Sequence, residues 1–291
     1  MPQAKIGVIG GTGLYDIEGL KDIEKVEVKT PFGQPSDTIT IGRLEGVGVA
    51  FLPRHGRGHR ISPGELPARA NIYALKSLGV EHIIAISSAG SFKPEIKPGH
   101  LVIPDQLIDR TRGRISTFFG EGIVAHVGFA EPFCPTLCQI LYQAAQEVGA
   151  TVHPRGTFVV MEGPAFSTRA ESRLYRSWGA DLIGMTALPE AKLAREAEIC
   201  YAIIGCATDY DSWWERSEPV TVEAILNTMR QNLDAARKII KLAVGKIPEE
   251  RHCGCATALA GAIVTDPRLI PAEQRKKLKL LIGKYLSKGE K

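Results

Sequence analysis

Ile6-Gly7-Val8-Ile9-Gly10-Gly11-Thr12-Gly13 begins as a short apolar run and passes directly into a glycine cluster. Five residues of this kind, bounded by glycine, read as a buried strand. Glycines at a strand end let the backbone approach a ligand, and the free N–H groups there can hold an anion. A tight turn alone would also explain a cluster this short. The spacing is neither GxGxxG nor GxxxxGK[ST], so neither NAD binding nor a nucleotide γ-phosphate site is expected.

The same strand-then-turn pattern recurs outward from this segment. Residues 38–43, 47–53, 83–87, 157–162, 182–185 and 199–207 read as further strands. Between them, 67–78, 136–148, 168–178, 189–198 and 222–242 carry helical spacing, with Pro67 placed in a first turn, where its missing N–H costs nothing. This alternation predicts an α/β fold, a single domain spanning 1–291 with a central mixed β-sheet flanked by helices. Residues 110–132, rich in Gly and Arg and without a period, are expected to form a long functional loop. Residues 245–291 read as a C-terminal appendage of the same domain, ending in an amphipathic helix. That helix would bury Leu278, Leu281, Ile282 and Leu286 and expose Arg275, Lys276, Lys277, Lys279 and Lys284.

Composition narrows the classes. The chain has 291 residues, 44% hydrophobic and 23% charged, enough for one full core. The net charge of +4 is too mild for a nucleic-acid binder that relies on a basic face. It suits small anionic substrates such as phosphate. No segment has the apolar length of a membrane span. No secretory signal precedes the first strand, so a cytoplasmic location is the default expectation. Six cysteines stand at 134, 138, 200, 206, 253 and 255, without a paired CxxC zinc framework. Cys253-Gly254-Cys255, beside His252, can be a disulfide or redox pair, a partial metal site or two ordinary thiols. Oxidation of some of the six is expected.

Four further segments carry chemistry. Pro53-Arg54-His55-Gly56 ends a strand, and Arg57, His59 and Arg60 add local positive charge. A guanidinium fork matches phosphate geometry, which favours an anion site over a solvated arginine. Ser87-Ser88-Ala89-Gly90 places small hydroxyl residues at a strand's carboxyl end, where open α/β sheets bind ligands. In Met185-Thr186, Thr can donate to phosphate and Met offers an apolar face to a sugar or base. Thr208-Asp209-Tyr210-Asp211 follows the most apolar strand. Residues two apart on an extended backbone share a side, so Asp209 and Asp211 are expected to project together. Two neighbouring carboxyl groups do not ionise equally, so one can hold a proton near neutral pH.

Together these segments resemble the methylthioadenosine phosphorylases of the purine nucleoside phosphorylase superfamily, over residues 6 to about 242. The resemblance rests on Ile9-Gly10-Gly11-Thr12-Gly13-Leu14, Pro53-Arg54-His55-Gly56, Ala68-Arg69-Ala70-Asn71-Ile72, Met161-Glu162-Gly163-Pro164, Gly184-Met185-Thr186 and Ala207-Thr208-Asp209-Tyr210-Asp211. It implies a nucleoside phosphorylase-like fold and phosphate contacts from Thr12, Arg54, His55, Ser87, Ser88 and Thr186. Some relatives carry Thr and Ala at 87 and 88, which points to the backbone there rather than the hydroxyls. By the same resemblance Met185 packs on the ribose, and Asp209 and Asp211 read N7 and the 6-amino group of adenine. Phe166 and Ser167 lie along the base, Val222 helps enclose a 5′-methylthio group, and His126 reaches a neighbouring subunit's site. The implied reaction is phosphorolysis of S-methyl-5'-thioadenosine in purine and methionine salvage, in a homotrimer or homohexamer. Phosphate would be co-substrate, with no metal or organic cofactor. The rivals are a phosphorylase of 6-oxopurine nucleosides, whose O6 an ionised aspartate would repel, and a non-catalytic nucleoside-binding protein.

Overall fold

Strand-forming Ile, Val and Phe runs build the sheet, and the computed structural model describes them within residues 3–11, 14, 17–215 and 222–286. Side chains at 222, 224–227 and 229 are outside that description. The strands are β1 (Ile6–Gly10), β2 (Lys21–Val26), β3 (Ile39–Leu44), β4 (Val47–Pro53), β5 (His82–Ser91), β6 (Leu101–Val102), β7 (Gln106–Arg110), β8 (Val152–His153), β9 (Thr157–Met161), β10 (Leu182–Gly184) and β11 (Cys200–Tyr210). The helices are α1 (Ala68–Ser77), α2 (Pro135–Glu147), α3 (Arg169–Ser177), α4 (Ala187–Glu196), α5 (Val222–Lys246), α6 (Ala272–Lys277) and α7 (Lys279–Leu286).

One mixed sheet runs β2-β3-β4-β1-β5-β10-β9-β7, and β11 joins β5 to the short strands β6 and β8. Its centre is parallel: β1 pairs with β4 and β5, and β5 with β11. Every residue of β1 is buried, as expected of a strand covered on both faces. Alternate side chains enter opposite layers. Ile9, Leu52, Ile83 and Ile203 pack with α1 and α4, through Ile72, Leu75 and Ala191. Val8, Phe51, Ile84 and Ile204 pack with α2 and α5, through Leu141, Ile239 and Ile240. Fully burying one such Ile or Leu contributes about 1.5–3 kcal/mol.

Several sequence readings change in detail. Pro67 sits at the cap of α1, one residue before the first turn. The terminal helix is two short helices that break at Leu278. Leu278, Leu281 and Ile282 nevertheless enter the main core, together with Leu259, Ala262 and Ile270, so the tail completes that core. Residues 110–132 are pinned rather than free. Phe118, Phe119 and Ile123 are buried, and Glu196 accepts hydrogen bonds from Thr117 Oγ1 and Phe118 N, both at 2.7 Å. No helix among the described residues is long and apolar enough to cross a membrane.

Candidate functional site

Because β1, β4, β5 and β11 are parallel, their carboxyl ends share one edge of the sheet. That edge is where open α/β sheets place ligands. It gathers Gly10-Gly11, Arg54-His55, Ser87-Ser88 and the Asp209 segment. Strand β10 arrives antiparallel, with Ile183 opposite Gly90, and delivers Met185-Thr186 to the same edge. The result is a side-chain contact across the chain: Ser87 Oγ and Thr186 Oγ1 lie 3.1 Å apart, both residues buried. Thr12, from the opening glycine cluster, lies outside the described residues.

Arg54 is buried and held on several sides. Its Nε donates to Glu190 Oε1 at 2.6 Å and its Nη2 to Glu190 Oε2 at 3.1 Å. Nη1 donates to Ile86 O at 2.8 Å, and Nη2 makes a longer 3.4 Å contact with Ile9 O. Tyr201 Oη donates to Glu190 Oε2 at 2.9 Å, completing a buried triad. Burial opposes the charge on Arg54, but the Glu190 carboxylate outweighs it and raises the guanidinium's proton affinity. A guanidinium has five N–H groups. Four are directed at these protein oxygens, so Arg54 keeps one for a ligand. Sequence reading treated Arg54 as a phosphate fork and missed Glu190, which reads there as an ordinary helix residue.

His55 is half-buried, with Nδ1 2.8 Å from Ile61 O. A carbonyl only accepts, so Nδ1 carries the proton and Nε2 presents a lone pair. Burial, with the neighbouring Arg54 charge, lowers its pKa to about 4. His59 stacks on it at 4.2 Å between ring centroids. Arg57 and Arg60 are exposed and tethered, Arg57 N to Asp37 and Arg60 Nη2 to Ser36 O.

The acidic end is shaped by a bulge. Register between β5 and β11 shifts between Ala207 and Asp209, leaving Thr208 as the extra residue. Past the bulge, Tyr210 turns into a cluster with Phe92, Val159 and Trp213, and its hydroxyl donates to Pro94 O at 2.9 Å. Asp209 and Asp211 flank it in sequence, and the charge of Asp211 is felt at Asp209. Burial first, and Asp211 second, raise Asp209 to about 6, against a hydrogen bond from Thr208 Oγ1 at 2.6 Å. Burial also raises Asp211, opposed by Ser172, Ser212 and Ser167. Among the described residues, Asp211 Oδ2 and Ser172 Oγ are both buried without a partner in good hydrogen-bonding geometry, although Ser172 acts on the Asp211 carboxyl.

The surrounding wall is fixed by a residue that sequence reading did not select. Arg114, from the 110–132 segment, donates to Met185 O at 2.6 Å and Leu188 O at 2.8 Å, and pairs with Glu162 at 3.0 Å. One side chain thus ties the end of β9 to the segment after β10. Met185 lies against Gly163, whose φ is +68°. A Cβ at Gly163 would stand 2.4 Å from Met185 Sδ. Ser167 is buried, and its carbonyl accepts from Ser212 Oγ at 2.8 Å. The preceding Phe166 is 62% exposed. His126 is exposed, and its N–H bonds Ala262 O in the tail rather than any residue of the strand ends. Val222 starts α5, but its side chain is outside the described residues. A separate cavity of about 260 Å³ is lined by Phe32, Leu66, Arg69, Arg114, Ile115 and Pro189, and includes neither Arg54 nor the aspartates.

Parallel strands whose carboxyl ends gather a buried arginine, small hydroxyl residues and buried acids give the site, and the comparisons give the family. Residues 5–244 match the model of the phosphorylase superfamily. The chain is 59% identical to S-methyl-5'-thioadenosine phosphorylase of Geobacter sulfurreducens, over 97% of this chain and 99% of that one. A crystal structure of methylthioadenosine phosphorylase from an antarctic soil metagenomic library is 47% identical, with a TM-score of 0.93 over 97% of this chain and 99% of that one. Methylthioadenosine phosphorylase from Schistosoma mansoni in complex with adenine is 37% identical, with a TM-score of 0.85, over 90% of this chain and 99% of that one. The chain belongs to the phosphorylase superfamily and, within it, to the S-methyl-5'-thioadenosine phosphorylases.

Proposed function

We propose that this chain is a pentosyltransferase that cleaves S-methyl-5'-thioadenosine with phosphate, giving adenine and 5-methylthioribose 1-phosphate. The observation that carries the choice of base is the buried Asp211 carboxyl, whose Oδ2 stands near the Ser172 hydroxyl but accepts from no well-aligned donor. The 6-amino group of adenine supplies that donor, whereas the O6 of a 6-oxopurine would add a second acceptor.

Phosphate is held by the free N–H of Arg54, by the Ser87 and Thr186 hydroxyls, by backbone N–H groups at Ser88 and Gly11, and by Thr12. His55 Nε2 accepts a hydrogen bond from the P–OH of the monoanion. Placed beneath C1′, phosphate stabilises the positive charge that the ribose develops as the base leaves. Met185 packs on the sugar. Asp209, titrating near the working pH, passes a proton to N7 so that adenine departs neutral. Thr208 occupies Asp209 Oδ1 and leaves Oδ2 for that proton. Ser167 and Phe166 border the base, and Val222 borders the 5′ substituent. No cofactor is needed beyond phosphate as co-substrate.

The proposed assembly is a homotrimer or homohexamer, with His126 at a partner's site. In its favour, Val124 and Val264 expose apolar surface beside the His126 backbone ladder. The proposed setting is cytoplasmic purine and methionine salvage. The deciding assay follows free base released from S-methyl-5'-thioadenosine and from inosine, with and without phosphate. Phosphate-dependent adenine release should dominate; faster hypoxanthine release from inosine would overturn the reading.

A further inference from the structure

Four sulfur atoms, from sequence positions up to 121 residues apart, meet at the other end of the sheet. Cys134 caps α2, Cys200 is the first residue of β11, and Cys253 and Cys255 flank Gly254 at a short 310 turn. Strand β11 carries Asp209 at its far end, about 30 Å away at the usual rise per residue. The four Sγ atoms all lie within 4.8 Å of one another, and Cys200 Sγ is 3.3 Å from Cys253 Sγ. All six cysteines of the chain are free thiols, where sequence reading expected some oxidised.

The mutual approach of all four discriminates between chemistries. Disulfides bring sulfurs together in pairs at about 2.05 Å. A tetrahedral metal with bonds of about 2.3 Å needs each sulfur about 3.8 Å from the other three. Cys134, Cys200 and Cys255 are buried and Cys253 is half-buried, which describes a closed site with no position left for a substrate. Arg251 lines the same pocket and offsets negative charge.

We propose that Cys134, Cys200, Cys253 and Cys255 bind one zinc ion in a structural tetrathiolate site. Each thiol yields its proton as its sulfur bonds the metal, so a 2+ ion and four thiolates leave a net charge of 2−, beside Arg251. No electron moves. The ion fastens the tail after α5 to the start of β11, and so holds Leu259, Leu278 and Ile282 in the core.

The test uses the full chain purified with reductant and without chelator. Elemental analysis should find one zinc per chain, and cobalt exchange should give the intense visible bands of a tetrahedral tetrathiolate. Cys253→Ser should lose the zinc and make the tail sensitive to protease, while adenine release is unchanged. A chain that takes up neither zinc nor cobalt under reductant would overturn the site. So would an intact mass that shows a disulfide among the four in the reduced preparation, or tail protection that is the same with and without metal. The wild-type cobalt spectrum decides the matter even if the variant fails to fold.

Discussion

Replacing Asp209 with Asn should make the protein more stable and far less active at neutral pH. Burial raises Asp209 from 3.8 to about 6, so the folded chain holds that proton more tightly than the unfolded chain does. Below pH 3.8 both states are protonated and no penalty exists. As pH rises from 3.8 to 6 the unfolded chain ionises first, and folding loses stability; above 6 the full penalty is present. A gap of about two pH units corresponds to about 3 kcal/mol. Asn cannot ionise, and its carbonyl still accepts from Thr208. With an unfolding entropy of about 2.1 cal/mol/K per residue over this chain, the gain is about 5 °C in Tm near pH 7.5. It should shrink to about 1 kcal/mol near pH 4.5. Turnover should fall by about 10²–10⁴-fold, the usual worth of a positioned acid. The assay is thermal unfolding of both proteins across that pH range, paired with adenine release. Equal stabilities at every pH would refute the burial account, and an unchanged rate would refute the acid role.

Glu190→Gln leaves Arg54 buried without its carboxylate and should cost about 3–5 kcal/mol, measured by denaturant unfolding. Phosphate beside His55 should raise its pKa from about 4 by favouring the imidazolium; imidazole NMR shifts titrated with and without phosphate check this, and no change would remove His55 from the anion site. Gly163→Ala forces a side chain onto a backbone at φ +68° and against Met185, so it should destabilise the fold by about 1–3 kcal/mol and raise KM for the nucleoside.

The core strands were legible because their chemistry is uniform: Ile6–Gly10 and Val47–Pro53 end where the apolar run ends. Strand β2, Lys-Asp-Ile-Glu-Lys-Val, was not, because an edge strand with exposed residues has no apolar face to show. The carboxylate pair was legible from alternation, while the bulge at Thr208 that aims Asp209 depends on the partner strand β5. Glu190 and Arg114 were missed for one reason. A charged residue signals burial only through its partner, and Arg54 and the Met185 carbonyl are far from them in sequence. The cysteine cluster was half visible: Cys253-Gly254-Cys255 stood out as a pair, but no local spacing joins it to Cys134 and Cys200.

Glu190 has a consequence for the order of events at the Arg54 edge. Its carboxylate already balances the guanidinium, so Arg54 offers phosphate a hydrogen bond with little net charge behind it. An anion entering alone gains little there. The counter-charge it needs is the one that develops on the ribose, and it exists only while the bond to the base is breaking. On this reading the protein grips phosphate most firmly at the moment of reaction and loosely before and after. Glu190 then acts as a timing element, trading resting affinity for easy departure of the sugar phosphate.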